Sequence, residues 1–187
     1  LHLSIRRQRQ MCIRDSKVKE VLEERLHEKM MSYEEFTTLF PDSLACFRFI
    51  DDLKARHSFT CKKCGNAKFF PGSGKFSKRC TRCGYNESIT SFTIFQGVKV
   101  PIEKAFYIAY LTIAAKKGLT LESISSQLGL RLSTIWSFRK KVNDRVSTLE
   151  RQGLKPSASK WDDFVLLPNC KKAKSSRVVQ PLEQNAE

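Results

Sequence analysis

The chain has 187 residues with a formal net charge of +15, and its hydrophobic fraction of 41% excludes a wholly disordered protein. No apolar run reaches the roughly 18 residues that cross a bilayer, and no secretory signal pattern is present, so we expect a cytoplasmic protein without a membrane partner. Its seven cysteines should therefore stay reduced. Residues 57–96 and 97–151 each carry +6, and basic charge confined to such segments favours a nucleic-acid partner over general solubility.

The chain begins with a leader and a helical segment. Residues 1–16 match nothing that follows, so we expect a non-native leader there. Residues 17–58 show helical periodicity, and Ser32 and Glu35 form a capping-box pattern at the start of one predicted helix. We expect these N-terminal helices to form a scaffold, in which Cys46 is a small core residue.

The strongest signal is a pair of cysteine knuckles, C-x2-C, fifteen residues and C-x2-C, formed by Cys61, Cys64, Cys80 and Cys83. Two residues between cysteines let a tight turn direct both sulfur atoms at one ion, and four thiolates complete the tetrahedral shell that suits zinc. A filled shell leaves no position for water or substrate, so the Zn²⁺ is predicted to be structural. Iron also binds four thiolates and stays an alternative. A thioredoxin-like redox pair is disfavoured because it needs one C-x-x-C in a β-α-β context.

A zinc ribbon is predicted over residues 59–97. Segments 67–70 and 76–79 flank a Pro-Gly-Ser-Gly turn, which predicts a hairpin between the two knuckles. Residues 89–95 are predicted to form a further strand because apolar and β-branched residues are concentrated there. A lobe of this size is too small to hold a core alone, so metal binding should supply its folding energy.

A three-helix domain is predicted over residues 98–151. Its first helix, over 102–117, is apolar nearly all round and should be buried. A short second helix capped by Thr120 and a longer third helix capped by Ser133 are separated by a turn at Gly129, a pattern typical of a helix-turn-helix. The alternative is an ordinary three-helix bundle with a solvated basic face.

The polar side of the predicted third helix supplies the candidate DNA contacts. Small polar residues near its start can meet base edges, while Lys and Arg neutralise phosphates. The candidate DNA-binding residues are Arg131, Ser133, Thr134, Ser137, Lys140, Lys141 and Arg145. Double-stranded DNA is therefore the predicted partner.

Five short motifs around the knuckles resemble a known family. In chain order they are FTTLFP at 36–41, TIF at 93–95, KVP at 99–101, KKGL at 116–119 and QLGL at 127–130. Together with the spaced knuckles, they make residues 32–147 resemble zinc-ribbon insertion-sequence transposases of the ISXO-like group. The resemblance implies that ribbon and helix-turn-helix recognise the inverted repeats at the transposon's ends, and that the protein is nucleoid-associated. Phe92 departs from the pattern, since the family often has Gly there.

The catalytic part of that family has no counterpart in the sequence. The family's DDE-type domain opens with an Asp-Glu pair that leads into Gly-Gly, whereas residues 152–187 offer only the adjacent Asp162 and Asp163. We interpret this acidic pair as part of a surface turn or a helix cap. The rest of the segment is polar and basic and is predicted to be a disordered tail. No catalytic residue is assigned, and this chain alone is not expected to be an enzyme.

The predicted fold is therefore mainly α with a small β zinc ribbon, in the order N-terminal helices, ribbon and three-helix helix-turn-helix domain. The predicted function is sequence-specific DNA binding as the DNA-reading part of a transposase. Two other functions stay open, namely a stand-alone transcriptional regulator and a zinc-ribbon scaffold that binds protein. A homo-oligomer is compatible with each of them.

Overall fold

The structure of the protein, a computed structural model, describes residues 20–22, 31–114, 120–154 and 161–167; the predicted leader and the end of the helix predicted over 102–117 lie outside them. The described residues are mainly helical with one small antiparallel sheet, which confirms the predicted fold class at this level. The helices are α1 (Tyr33–Leu39), α2 (Ser43–Ala55), α3 (Ile102–Ala114), α4 (Leu121–Leu128), α5 (Leu132–Arg151) and α6 (Trp161–Val165), and the strands are β1 (Phe69–Pro71), β2 (Lys78–Cys80) and β3 (Asn86–Glu87). Residues 20–22 are also helical. None of the described helices is both long and apolar enough to cross a membrane.

Three helices begin at the caps that the sequence predicts or allows. The capping box at α1 is complete, since Ser32 Oγ accepts from the Glu35 backbone N–H at 3.2 Å and Glu35 Oε2 accepts from the Ser32 backbone N–H at 2.9 Å. Asp42 caps α2 and Thr120 caps α4 through their side-chain oxygens. Each such cap satisfies a backbone N–H that the helix itself leaves free, which contributes about 1 kcal/mol.

Helix α5 begins earlier than predicted. Its N-cap is Arg131, which makes no side-chain cap hydrogen bond within the described part of the chain, and Ser133 lies in the first turn. The predicted cap at Ser133 is therefore wrong. The physical reason lies in the preceding turn, where Ser125 Oγ donates to the Leu130 carbonyl at 2.6 Å, so that the chain enters α5 directly after Leu130.

The core forms around α3, in which every side chain from Ala105 to Leu111 is buried. Helices α1, α2 and α5 all pack against it. The ring of Phe106 lies 5.2 Å from Phe40 and stacks on Phe95 at 4.3 Å, measured between ring centroids. Burying one such side chain contributes about 1.5–3 kcal/mol, so this aromatic layer is a main source of stability. The predicted burial of this helix is confirmed as far as Leu111, and residues 112–114, at the end of its described part, are half-buried.

The sheet has the strand order β1-β2-β3 with antiparallel neighbours. Phe70 pairs with Arg79, and Arg79 pairs in turn with Asn86, so these three residues form a row across the sheet. The predicted hairpin between the knuckles is confirmed, although each of its strands begins two residues later than predicted. Strand β3 was not predicted, because two residues carry no periodic signal of their own.

The predicted strand over 89–95 is wrong. These residues form successive turns, and their one ladder contact is an isolated antiparallel bridge between Thr93 and Leu166. Phe92 has a φ of 59°, a left-handed conformation that breaks an extended chain. The apolar side chains of Ile94 and Phe95 are fully buried, so the hydrophobic signal reflects burial in a folded turn and not a strand.

The predicted disorder of the tail does not hold for residues 161–167. Trp161, Phe164 and Val165 of α6 are each at most 1% exposed. The backbone of this segment is also paired, because Ile94 N–H donates to the Val165 carbonyl at 3.0 Å and Leu167 N–H donates to the Phe92 carbonyl at 2.9 Å. This burial depends on contacts with distant parts of the chain, which the local sequence pattern of a polar segment does not indicate. The other residues predicted to be disordered, apart from 152–154 at the end of α5, lie outside the described ranges.

Candidate metal centre and candidate nucleic-acid face

The two cysteine knuckles have the same backbone geometry. In the first, Gly65 N–H donates to the Cys61 carbonyl at 2.8 Å, and in the second, Gly84 N–H donates to the Cys80 carbonyl at 3.1 Å. Gly65 has a φ of +74° and Gly84 a φ of +68°, a left-handed conformation that favours glycine. The two glycines therefore let each chain turn back immediately after its second cysteine, as the sequence predicts.

These turns bring together the sulfur atoms of all four predicted ligands. The four Sγ atoms of Cys61, Cys64, Cys80 and Cys83 lie within 4.8 Å of one another. The Cys61–Cys83 and Cys64–Cys80 sulfur pairs are each 3.5 Å apart. A tetrahedral ion with metal–sulfur distances of about 2.3 Å requires sulfur atoms about 3.8 Å apart, so the observed cluster fits one metal ion. Within the described residues, no other group of three or more His, Cys, Asp or Glu side chains gathers in this way.

Hydrogen bonds prepare one thiol of this cluster for metal binding. Burial opposes ionisation of Cys80, but N–H groups oriented at its sulfur outweigh that effect and lower its pKa to about 6. Among them are the Arg82 backbone N–H at 3.4 Å and the Asn66 side-chain amide at 3.5 Å. At Cys64 a backbone hydrogen bond from Asn66 favours the thiolate, yet burial and the neighbouring sulfur atoms raise the pKa to about 12. The environment thus favours the thiolate at Cys80 and the protonated thiol at Cys64. A metal cation in place of the proton between the two sulfur atoms would let both bind as thiolates, as metal ligation requires.

The lobe that carries the cysteines, residues 59–88, is attached to α2 of the helical core by two ion pairs. Lys54 Nζ lies 2.9 Å from Glu87 Oε1, with only 13% and 10% of the two side chains exposed. Lys78 Nζ lies 3.2 Å from Asp51 Oδ1. Burial lowers the pKa of Lys54, and the hydrogen bond and charge of Glu87 oppose that shift. Removing one partner of a buried pair leaves an uncompensated charge, so these contacts fix the position of the lobe on α2.

Helices α4 and α5 form the helical pair, joined by a turn over residues 129–131. Gly129 has φ 61° and ψ 38°, a left-handed cap that ends α4, as the sequence predicts. Ile124 and Leu128 of α4 are buried, as are Ile135 and Phe138 of α5. The apolar stripes of both helices therefore face the core and leave the polar side of α5 outward.

The seven predicted DNA-binding residues fall into two groups. Four of them are exposed on or just before the first half of α5, namely Arg131, Ser133, Ser137 and Lys140. The other three are half-buried, namely Thr134, Lys141 and Arg145. Lys141 Nζ donates to the Gln96 carbonyl at 2.7 Å, and Arg145 donates to the carbonyls of Asp163 at 2.6 Å and Leu166 at 2.8 Å. The contacts of Lys141 and Arg145 hold neighbouring segments in place.

Trp136 is a candidate contact residue that sequence reasoning missed. It lies one turn before Lys140, its side chain is 55% exposed, and Lys140 Nζ is 5.4 Å from its ring centroid. Leu132, one turn before Trp136, is 44% exposed. An exposed indole on the polar side of an amphipathic helix buries nothing in the core, and its position off the apolar stripe is the signal that could have identified it. The outer face of α5 is therefore both basic and apolar.

The acidic pair Asp162 and Asp163 lies within the first turn of α6, where both residues are half-buried, so the pair is neither a surface turn nor a helix cap as interpreted from the sequence. Asp162 Oδ2 lies 3.5 Å from Arg56 Nη1. Within the described residues, neither carboxylate belongs to a cluster of three potential metal ligands. Beside the pair, α6 and the cysteine lobe enclose a cleft of about 320 Å³ that is also lined by Arg145 and Lys62.

Comparisons with known proteins add no family assignment. No protein-family model matches the chain, and neither a curated protein nor a solved structure matches it. The function is therefore inferred from the cysteine cluster, the helical pair and the charge that surrounds them.

Proposed function

We propose that this chain is a sequence-specific DNA-binding protein in which a structural zinc ribbon supports a helix-turn-helix, and that it acts as the DNA-end-reading part of a transposase. The observation that carries the proposal is the outer face of α5, where Ser133, Trp136, Ser137 and Lys140 lie exposed directly after a glycine-capped turn. A helix with short polar groups and a cation at its start can enter the major groove and meet base edges.

The chemistry of this face suits duplex DNA. The Ser133 hydroxyl can donate to or accept from base edges, the Ser137 hydroxyl, which donates to the Ser133 carbonyl at 2.8 Å, can still accept, and the indole of Trp136 can contact a thymine methyl group. Lys140 and Arg131 supply charge for the phosphates that flank the contacted bases. The net charge of +12 over residues 57–151 adds long-range attraction to the same partner.

Zinc is the proposed occupant of the cysteine cluster. Four thiolates with sulfur atoms about as close as in a tetrahedral site suit Zn²⁺, which is the commonest ion in such structural sites. The cluster supplies all four ligands from the protein, so a bound ion would keep no open position for catalysis. Its role is to hold the two knuckles and the short sheet together.

The transposase assignment rests on the five sequence motifs and on the order of ribbon and helical pair along the chain. Catalysis in that family would need carboxylates that converge on two divalent metals. Asp162 and Asp163 are adjacent in α6 and therefore project about 100° apart around its axis. In this proposal the described residues recognise DNA, and the cleavage and joining of strands require other residues.

The decisive experiment is a selection of bound duplexes from a random pool, followed by affinity measurements on the enriched sequence and on an inverted repeat that contains it. We expect one enriched motif with wild-type protein and a changed motif with Trp136→Ala. The matched control is Leu154→Ala, which removes a side chain of similar exposure (43%) beyond the end of α5 and should leave the motif unchanged. Binding without any enrichment would contradict sequence-specific reading, and no binding at low salt would favour a protein-binding scaffold.

A further inference from the structure

The sheet of the cysteine lobe has one face that the fold does not use. Side chains alternate along a strand, so neighbouring residues of β1 lie on opposite faces. Phe69 is on the inner face, where its ring lies 4.9 Å from Phe59. Lys78 and Glu87 line the cleft on this side of the sheet. Phe70 lies on the outer face in the cross-strand row with Arg79 and is 43% exposed.

This outer face combines an aromatic ring with cations and an amide. The Arg79 guanidinium carbon is 5.8 Å from the centroid of the Phe70 ring, and Arg79 itself is exposed. Its Nε donates to the Gly84 carbonyl at 3.3 Å, which holds the guanidinium beside the ring. Lys68, just before β1, and Asn86, at the end of the same cross-strand row, are also exposed.

We propose that the outer face of this sheet binds single-stranded nucleic acid, with one unstacked base lying on the Phe70 ring and the adjacent phosphate held by Arg79 and Lys68. Exposed aromatic rings interleaved with cations are the arrangement that binds unpaired bases, because each base has a flat face to stack and each phosphate a negative charge. Residues 57–96, which include the lobe, carry a net charge of +6, which complements the backbone of such a strand. Duplex DNA keeps its bases stacked on one another and cannot offer a free base face to a ring on a flat sheet.

The proposed platform is independent of the duplex-reading face of α5, since none of its residues belongs to the helical pair. The test uses the full-length chain with its metal bound. Fluorescence anisotropy measures the affinity for an oligothymidylate of about 12 nucleotides, which matches the usual site sizes of such surfaces. The same titration with an abasic oligonucleotide of equal length separates stacking from phosphate attraction.

Phe70→Ala is expected to weaken oligothymidylate binding by about fivefold or more, the effect of losing one base–aromatic stack. Phe70→Trp should retain binding, because it keeps a flat ring on the same face. Phe69→Ala is the matched control, since Phe69 is equally exposed at 44% but lies on the other face, and it should leave the affinity within about twofold. Metal content and melting temperature of each variant verify that the lobe is folded.

Equal losses for Phe69→Ala and Phe70→Ala, or no loss for either, would overturn the proposal, as would an abasic strand that binds as tightly as oligothymidylate. Duplex affinity, measured on the same variants, keeps this outcome separate from the helix-turn-helix proposal. Phe70→Ala should leave duplex binding unchanged, and Trp136→Ala should leave oligothymidylate binding unchanged. Loss of both activities in Phe70→Ala with metal retained would also count against a separate platform.

Discussion

At the scale of single residues, the four cysteines are the main feature of the cysteine lobe. The exposed side chains of Phe69 and Phe70 show how little apolar surface this lobe buries, so we expect its stability to depend on the ion that the four sulfur atoms could hold. A metal ion bound by Cys61 and Cys64 of the first knuckle and by Cys80 and Cys83 of the second would join the two knuckles across the hairpin. Loss of one sulfur therefore affects the whole lobe.

Cys80→Ser should abolish stoichiometric metal binding, because three thiolates no longer close a tetrahedral shell. Elemental analysis of the purified variant gives the metal-to-protein ratio. Cys46→Ser is the control: Cys46 is fully buried in α2, burial raises the pKa of its thiol, and its replacement should leave the ratio unchanged. Full metal loading in Cys80→Ser would contradict the four-sulfur site.

Lys140 and Lys141 make a matched pair for testing the outer face of α5. Lys140 is exposed beside Trp136, so Lys140→Ala should remove one phosphate contact and reduce the slope of log Kd against log salt by about 1. Lys141 Nζ is bound to the Gln96 carbonyl, so Lys141→Ala should change this slope much less. Affinities for one duplex at several salt concentrations provide the measurement, and equal slopes for both variants would contradict the assignment.

At the scale of secondary-structure elements, the turn between α4 and α5 sets the geometry of the outer face. Gly129 ends α4 with a positive φ, and, among the described residues that are not its chain neighbours, an added Cβ would meet no atom within 4 Å. The cost of a side chain there is therefore backbone strain alone and not a clash.

Gly129→Ala should lower the free energy of unfolding by about 1 kcal/mol, since the left-handed region disfavours a Cβ by about that amount. Gly129→Asn should cost less, because asparagine tolerates this region better. Chemical denaturation of both variants gives the values. A larger effect of asparagine than of alanine would show that strain is not the cause.

The Arg145 side chain of α5 helps to hold α6 and the residues just after it in place. Arg145 donates to the carbonyls of Asp163 within α6 and of Leu166 just after it, and burial lowers the pKa of this guanidinium against the attraction of Asp163. Arg145→Met keeps the aliphatic length but removes the donors and should destabilise the protein by about 1–3 kcal/mol, the penalty for buried carbonyls left without partners. Thermal unfolding checks this value. Ser147→Ala, an exposed change on the same helix, should have no measurable effect.

Local signals in the sequence predict the elements whose cause is local. The caps at Ser32 and Thr120, the cysteine knuckles and the hairpin were predictable, because each depends on residues a few positions apart. The turns over 89–95 and the helix α6 were not, because their apolar residues are buried by distant parts of the chain. Trp136 was not predicted for a different reason. Hydrophobic periodicity identifies the side chains that a helix buries, and it does not identify apolar side chains that the helix leaves exposed.

At the scale of the whole molecule, the cysteine lobe and the helical core depend on different forces. The core around α3 is held by stacked aromatic rings that include Phe106 and Phe95. The lobe is held by its cysteine cluster and joined to the core by the Lys54–Glu87 pair. Metal loss should therefore unfold one part and spare much of the other.

Metal removal by a strong chelator at neutral pH should leave most of the far-UV helical signal and make residues 59–88 sensitive to protease, because the sheet has no core of its own. Readdition of Zn²⁺ should restore resistance. Acidification should have the same effect as the chelator, since protons compete with the metal for thiolates and affinity falls as the pH falls. Collapse of the helical signal together with the lobe would show that the two parts fold as one unit.

The packing of α6 on α2 has a consequence for synthesis on the ribosome. The ring of Trp161 meets Phe49 edge-on at 6.4 Å between centroids, and Asp162 meets Arg56 across a separation of 106 positions. At about 5–20 residues per second, a ribosome takes roughly 5–20 s to deliver the second half of such a contact after the first. During that interval the apolar side of α2 has no cover from α6 and is open to chaperones or to other nascent chains. Maturation of this core is therefore a late event in translation, and slow codons placed before residue 161 would prolong the vulnerable period.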